Sequence, residues 1–325
     1  MPDVFVRTTG GNAAVFHATA LDLKVRWYLL RNNIFRQFAD VHPLDPAHNY
    51  RTVTLTLNGE LALATTPLDE VTDADAVDIP ATRQVSVTMN EYGNTMKHTL
   101  LSRETTWNKD LPNDLVFQLA ENAAGTIDNR VENVLSGATN IVWTDNTTAG
   151  LASAAPIEAN LTGMSAKATA AAVTNLRVRR GRPKRGNNFA AVIHPNVAFD
   201  LKNEAGANVW STPHVNVDTA EVYNGVVATY AGADFLESRE VSTTTIGATV
   251  VYNSYFLGAE AILEASAIEP HIVIGEIVDP MRRKVPVSWH SLLGWSIFRQ
   301  NSIQVIRSKT NLNVAVNQGT YDPKA

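Results

Sequence analysis

The chain has 325 residues, a formal net charge of −5, 18% charged residues and no cysteine. The absence of cysteine excludes disulfides, thiolate metal sites and cysteine nucleophiles. The negative net charge argues against a protein whose main function is to bind nucleic acid. The length allows two domains of roughly 150 residues or one elaborate domain. No apolar run approaches the roughly 18 residues that span a bilayer, so we expect no membrane segment.

The first part of the chain predicts a flexible arm followed by a helix. The arm covers residues 1–11 and ends in two glycines, and Ala13 to Ala39 carries Leu21, Val25 and Leu29 along one side. Two prolines at 43 and 46 stop this helix, because the residue before a proline is pushed out of the helical region.

The next segment predicts a long hairpin with an acidic tip. Apolar residues alternate with Thr or Ser in both predicted strands, at Val53, Leu55 and Leu57 and again at Val85, Val87 and Met89. Residues 61–82 between them contain no Lys or Arg and carry five acidic residues: Asp69, Glu70, Asp73, Asp75 and Asp78. A hairpin that reaches away from its own domain indicates an assembly protein rather than an enzyme.

Asp110 to Gly137 is the strongest predicted helix. Its apolar residues recur every four positions, at Leu115, Leu119, Ala123, Ile127 and Val131. Asp110 is positioned to cap the start, and Gly137 to end the helix in the left-handed region. A helix of this length, about 40 Å at 1.5 Å per residue, would serve as the spine of a flat molecule.

The rest of the chain predicts a mixed middle and a strand-rich end. Residues 141–160 predict a loop or short strands, 162–178 a helix capped by Thr162, and 196–202 a helix after Pro195. Predicted strands cover residues 189–193, 226–230, 233–237, 249–257, 271–278, 285–298 and 302–307. The last strands have no nearby partners except around the long helix, which predicts a discontinuous domain with the middle third inserted.

Two groups of residues leave an enzymatic alternative open. His42 and His48 with Asp40 and Asp45 are able to gather a metal for a hydrolase, although proline-rich turns commonly carry such residues. Loss of a bound metal in His42→Ala would favour that alternative. His194 would be a catalytic base or a cap at a strand-to-helix junction, and the cap is favoured because no acid or nucleophile accompanies it.

The acidic tip also resembles a loose divalent-cation loop at Asp73, Asp75 and Asp78. It lacks the glycine and the distal glutamate of an EF-hand loop, so a solvated tip that meets a basic neighbour is favoured.

One basic cluster stands out, with six cations in nine residues: Arg177, Arg179, Arg180, Arg182, Lys184 and Arg185. It is a candidate for DNA contact or for protein contact. No aromatic residue is interleaved to stack on bases, as single-strand binders require, so protein contact or solvation is favoured. Steep salt-dependent duplex binding by the isolated subunit would support the DNA alternative.

Three motifs resemble the major capsid proteins of tailed bacteriophages. The segment from Leu119 to Asp128, continued to Ala138, is similar to the spine helix of that family. Ala191 to Pro195 followed by Phe199 to Leu201 is similar to its apical domain, and Glu221 to Gly225 through Leu236 to the next segment. The likeness keeps one order from about Tyr50 to Arg307.

The resemblance implies an α+β chain with the Hong Kong 97-type capsid fold. It implies an N-terminal arm (1–49), an extended loop hairpin (50–98), a peripheral domain with the spine helix (99–150), an inserted apical domain (151–264) and peripheral C-terminal strands with a tail (265–325). It further implies pentamers and hexamers that enclose double-stranded DNA in a virion. The implied partners are the chain itself, a scaffolding protein, a portal and a cement protein, with assembly in the bacterial cytoplasm, no enzymatic activity, no cofactor and no metal.

The sequence departs from some family members in its lysines. No lysine lies between Lys24 and Lys97, so the isopeptide cross-link that those members form from an extended-loop lysine cannot start from the hairpin tip here. We therefore expect a non-covalent shell. An encapsulin-like compartment would share the fold, and a packaged enzyme with its docking peptide would distinguish it.

We expect each hairpin to lie over a neighbouring subunit. Its apolar contacts would be Leu57, Leu61 and Leu63, and its carboxylates would meet basic residues of that neighbour, for which Arg103, Arg283 and Arg299 are candidates. Such exposed ion pairs are screened by salt within about 8–10 Å.

Overall fold

The structure, a computed structural model, describes most of the chain from Ile34 to Leu312. The described residues are 34–43, 51–59, 61, 63–65, 67, 78, 80–99, 101, 111–147, 150–204, 226–274 and 283–312. The α-helices are α1 (Leu111–Leu135), α2 (Ala166–Val178) and α3 (Pro195–Lys202). The early strands are β1 (Ala39–Pro43), β2 (Thr52–Leu57), β3 (Arg83–Thr88), β4 (Asn90–Thr99), β5 (Ile141–Asp145), β6 (Gly150–Ala152) and β7 (Phe189–Ile193). The later strands are β8 (Val226–Tyr230), β9 (Ala233–Glu237), β10 (Thr243–Ile246), β11 (Thr249–Leu257), β12 (Ile262–Ile274), β13 (Lys284–Ile297) and β14 (Ile303–Lys309).

A four-stranded sheet supports α1. Its order is β1-β12-β13-β4, with β1 parallel to β12 and the other neighbours antiparallel. The N-terminal half of α1 packs on this sheet through Leu119 and Ala123, which contact Val287 and Trp289. The predicted long helix is confirmed. Its apolar stripe is also confirmed, because Leu119, Ala123, Ile127 and Val131 are all buried.

An eight-stranded sheet forms the second layer. Its order is β6-β5-β14-β11-β7-β9-β8, with β10 paired to β11. Successive residues of β7 enter different cores: Ala190 and Val192 face α1, whereas Phe189, Ala191 and Ile193 pack against α2 and α3. All five are buried, as expected for a central strand covered on both faces.

The C-terminal half of α1 joins the two sheets into one core. Ile127, Val131 and Leu135 pack in a single cluster with residues of both sheets, among them Ile262 and Tyr255. The strand β14 lies in the eight-stranded sheet, between β5 and β11, while β12 and β13 lie in the four-stranded one. The division of the chain into peripheral and apical domains stays a prediction.

The predicted helix Ala13–Ala39 is wrong over its described part. Residues 36–38 form a 3-10 turn and β1 begins at Ala39. The edge of β12 offers parallel pairing from Ala39 to Pro43, and this tertiary contact overrides the local helical pattern. Residues 13–33 lie outside the described part of the chain.

Two predicted helix ends also differ. Gly137 does not have a positive φ; the chain leaves α1 through short-range bonds from Gly137 N–H to the Val134 oxygen and from Ala138 N–H to the Leu135 oxygen. These i to i−3 bonds need no left-handed residue. Ser165, not Thr162, caps α2, because its Oγ accepts from Ala168 N at 3.2 Å. The predicted cap Asp110 lies outside the described residues.

Most predicted strands are confirmed within a residue or two. β7, β8, β9 and β11 have the predicted bounds, and residues 141–160 hold the short strands β5 and β6. The main correction is β12, which starts at Ile262, nine residues before the predicted start at His271. It pairs with β13 through two register shifts between Ser266 and His271, and these irregularities break the alternation that a sequence pattern can detect.

Gly294→Ala should destabilise the fold by about 1–3 kcal/mol, the cost of overpacking. A Cβ at Gly294 would lie 2.5 Å from the Thr88 carbonyl oxygen, so β13 and the end of β3 would have to separate. Urea unfolding of the full chain measures this loss. Gly137→Ala is the control, because its Cβ would lie 3.3 Å from its nearest neighbour and the position needs no left-handed backbone. Equal loss in the two variants would contradict the close approach.

Candidate interaction surfaces

The predicted hairpin is confirmed at its base. β2 and β3 pair in antiparallel register from Thr52–Thr88 to Leu57–Arg83 and form a separate two-stranded sheet. One face of this sheet packs on the four-stranded sheet, because Val87 and Met89 are buried against Leu263 and Ala265. The hairpin base is therefore fixed to the subunit.

The opposite face of the hairpin base is exposed and lined with hydroxyl groups. Thr52 and Thr88 contact each other through their hydroxyls at 3.3 Å, and Thr54 and Ser86 at 2.9 Å. Cross-strand pairs of this kind stabilise a sheet modestly. They hold the two strands together as they leave the domain.

The segment beyond the hairpin base presents apolar side chains to solvent. Leu61 is 59% exposed and Leu63 is 80% exposed, while Leu57 is half-buried. Asp78 is exposed, and Asp69, Glu70, Asp73 and Asp75 lie outside the described residues. Burial of these leucines on a neighbouring subunit stays a prediction.

The three predicted acceptor arginines differ in their surroundings. Arg299 pairs with Glu260 at 2.5 Å and lies over the ring of Phe298. Arg283 is exposed, and Arg103 lies outside the described residues. The Arg299 guanidinium is therefore already engaged within its own subunit.

Half of the basic cluster is held within the subunit. Arg179 donates to Gln304 Oε1 at 2.9 Å, and burial lowers the pKa of its guanidinium. Lys184 pairs with Asp40 at 2.5 Å, and Arg185 donates to Gln37 at 3.1 Å and lies 5.4 Å from the centre of the Phe38 ring. These three cations bind the segment after α2 to β14 and to residues 34–43, here called the N-terminal segment.

The other half of the cluster is exposed at the C-terminal end of α2. Arg177, Arg180 and Arg182 are all exposed, and so is Val178 between them, at 77%. Gly232 leaves room for the Arg177 guanidinium, since a Cβ there would lie 2.6 Å from one of its nitrogens. Arg180 has a left-handed backbone (φ 59°), which directs the chain away from the helix axis.

A buried carboxylate of α1 holds the N-terminal segment. Asp128 is buried and its Oδ1 accepts from Phe35 N at 2.7 Å and Arg36 N at 3.3 Å. Burial raises the pKa of Asp128 to about 6, although the backbone N–H groups of Phe35, Arg36 and Ile34 act to lower it.

Glu264 is the second buried anchor of this segment. It is 0% exposed and accepts two hydrogen bonds from the Arg36 guanidinium, from Nη2 at 2.7 Å and from Nε at 3.0 Å. It also accepts a hydrogen bond from Trp295 Nε1 at 2.8 Å. Arg36 also pairs with Glu269 at 2.6 Å. Although burial alone lowers the pKa of Arg36, its bonds to Glu264 and Glu269 raise it well above the usual range.

A third buried carboxylate, Glu132, lies one turn beyond Asp128. It accepts from the Tyr255 hydroxyl at 2.6 Å and from Ser242 N at 3.1 Å, which joins α1 to the eight-stranded sheet. Burial, followed by the adjacent Glu132 charge, raises the pKa of Tyr255, so its hydroxyl stays a donor. Sequence analysis did not identify Asp128 and Glu132 as buried, although they directly follow Ile127 and Val131 of the apolar stripe.

The structure describes two of the four residues of the metal-site alternative, Asp40 and His42. Asp40 is paired with Lys184, His42 is exposed, and Asp45 and His48 lie outside the described residues. No group of three or more metal-ligating side chains occurs among the residues that the structure describes. His194 is confirmed as a cap: its Nδ1 accepts from Asn196 N at 3.1 Å, and burial lowers its pKa to about 4.

No helix in the described part of the chain is long and apolar enough to cross a bilayer.

Comparison with solved structures finds phage capsids. The capsid of Ralstonia phage GP4 matches with a TM-score of 0.67 at 13% identity, over 87% of this chain and 89% of that one. The capsid of cyanophage P-SCSP1u matches at 0.62 and 13% identity (93% and 95% covered), and that of cyanophage Pam1 at 0.60 and 14% identity (95% and 96% covered). No family model and no curated relative matches. The chain therefore has the fold of these capsid proteins, and the predicted mixed fold of Hong Kong 97 type is confirmed.

Arg36→Met should lower the free energy of unfolding by about 3–5 kcal/mol, because it leaves the Glu264 carboxylate buried without a cation. Urea unfolding at pH 7 measures the change. Arg299→Met is the matched control: its pair with Glu260 is largely exposed, so its loss should cost at most about 1 kcal/mol. The double variant Arg36→Met/Glu264→Gln should recover part of the loss. An equal effect of both single variants would contradict the anchoring role.

Asp128→Asn should make unfolding less dependent on pH. Because the pKa of Asp128 rises from 3.8 to about 6 on folding, its stabilising contribution is complete below pH 4 and is lost as pH rises through 6. The asparagine retains an oxygen that can accept from both backbone N–H groups. The variant should therefore gain on the wild type between pH 4 and 7, by up to about 3 kcal/mol. Urea titrations across that range test this, and parallel pH profiles would refute it.

Proposed function

We propose that this chain is the major capsid protein of a tailed bacteriophage. The observation that carries the proposal is the match to phage capsids over nearly the full length of both chains. Those proteins are shell components, which favours a structural role over the hydrolase alternative. The projecting hairpin with exposed Leu61 and Leu63 is the kind of surface that such a role requires.

In the proposed shell, subunits form pentamers and hexamers that close around double-stranded DNA. The hairpin of one subunit lies over the next, so the two contacting surfaces differ. Head-to-tail contacts of this type close into rings when the rotation between subunits fits. The shell belongs to the virion and is assembled in the host cytoplasm with a scaffolding protein, a portal and a cement protein.

The proposed contacts are non-covalent. The hairpin would bury Leu57, Leu61 and Leu63 while its acidic residues meet basic groups of the neighbour. Each exposed ion pair contributes at most about 1 kcal/mol and is weakened by salt. Shell strength then comes from the number of repeated contacts, and no lysine lies between Lys24 and Lys97 to form a cross-link from the hairpin tip.

An internal truncation tests the role of the hairpin without disturbing its base. Residues 58–82 are replaced by Asn-Gly, which joins the paired ends Leu57 and Arg83 through a turn that two-residue hairpins favour. Negative-stain electron microscopy of the full chain should show closed shells, tubes or capsomer rings. The truncated chain should give separate subunits with the unfolding midpoint of the full chain.

A milder variant serves as a matched comparison. Leu61→Ser/Leu63→Ser keeps the length and the charge of the hairpin, and should reduce assembly without changing subunit stability, because both side chains are exposed in the subunit. The proposed function would be refuted if the full chain formed a uniform monomer or dimer that neither truncation nor a lysate containing the scaffolding protein changed.

A further inference from the structure

We infer that the exposed arginines at the end of α2 form the docking surface for the acidic hairpin tip of a second copy of this chain. This surface, the basic corner, consists of Arg177, Val178, Arg180 and Arg182. The inference rests on the proposed function and names the acceptor that the hairpin meets.

Two arginines of the basic corner, Arg177 and Arg182, differ from the rest of the cluster in what they contact. Arg179, Lys184 and Arg185 bind partners within the subunit. Within the part of the chain that the structure describes, no carboxylate forms an ion pair with Arg177 or Arg182.

Local helix chemistry explains only one member of the corner. Arg177 lies in the last turn of α2, where a cation interacts favourably with the helix dipole. Arg180 and Arg182 follow the end of the helix, and Arg180 adopts an uncommon left-handed backbone for a non-glycine residue. The helix dipole therefore does not account for the exposed Arg182, which follows the strongly exposed Val178.

The tip of the hairpin matches this surface in both charge and polarity. Residues 61–82 carry five acidic residues and no cation, and apolar residues stand among them: Leu68, Val71, Val77 and Ile79. The corner presents three cations and an apolar side chain. The described start of the tip is exposed in the isolated subunit, as Leu63 shows.

The other predicted acceptors fit this role less well. Arg299 is paired with Glu260 in its own subunit, so docking there would first break that contact. Arg283 lies beside Lys284, and both are exposed, which makes this pair the proper rival surface. Phosphates of duplex DNA would also bind arginines, but they offer nothing apolar to Val178.

A charge exchange in the full chain tests the pairing. The corner reversal is Arg177→Glu/Arg182→Glu and the tip reversal is Asp73→Lys/Asp75→Lys. Each alone should raise the protein concentration needed for assembly by about tenfold, since each subunit loses several weak pairs. The combined variant should restore assembly to within about twofold of the wild type. Sedimentation and electron microscopy measure assembly, and circular dichroism checks the fold of each variant.

The control carries the same charge change on the rival surface. Arg283→Glu/Lys284→Glu combined with the tip reversal should not restore assembly. If it does, or if the corner reversal does not rescue the tip reversal, the inference is overturned while the proposed function stands. Loss of salt-dependent duplex binding in the corner reversal with assembly unchanged would assign the surface to DNA instead. Failure of the wild type to assemble would instead refute the proposed function.

Discussion

Burial of the Glu264 carboxylate constrains the whole subunit. The group is 0% exposed, and a buried charge must be paired because its desolvation is otherwise uncompensated. The cation comes from Arg36, 228 residues away in sequence, so the N-terminal segment is drawn into the core. Phe35 and Phe38 then pack fully, and β1 extends the four-stranded sheet. Ile34, where the described chain begins, is thereby held against the core beside α1.

The same core makes the two sheets one mechanical unit. α1 buries its stripe against both sheets, and Asp128 and Glu132 bind a different neighbour on each side of it: the N-terminal segment and the eight-stranded sheet. Bending between the sheets would separate these carboxylates from their hydrogen-bond donors while they remained partly buried, which is unfavourable. Among the described residues, Leu61 and Leu63 of the hairpin and Val178 at the end of α2 are exposed at the surface of this unit. Contacts between subunits are therefore expected at peripheral surfaces and not through the core.

Sequence patterns identified the elements whose signal is local. The stripe of α1 and the alternation of β2 and β3 follow directly from periodicity. β1 could not be predicted, because β12, the strand that pairs with it, lies far along the chain. The start of β12 was missed because the alternation breaks in the buried stretch around Glu264 and Ser266. Burial of Asp128 could not be predicted either, because the backbone groups that donate to its carboxylate lie far away in sequence.

The distribution of charge separates folding from assembly. Carboxylates that hold the fold are buried and paired, so salt affects them little, whereas Asp78 of the hairpin and the arginines of the basic corner are exposed, and salt screens their interactions. A closed shell needs contacts that can break while a ring is still incorrect, and weak exposed pairs meet this need. Strong buried pairs between subunits would trap wrong arrangements. In the proposed shell, the subunit can therefore remain rigid while assembly remains reversible, because different residues carry the two tasks.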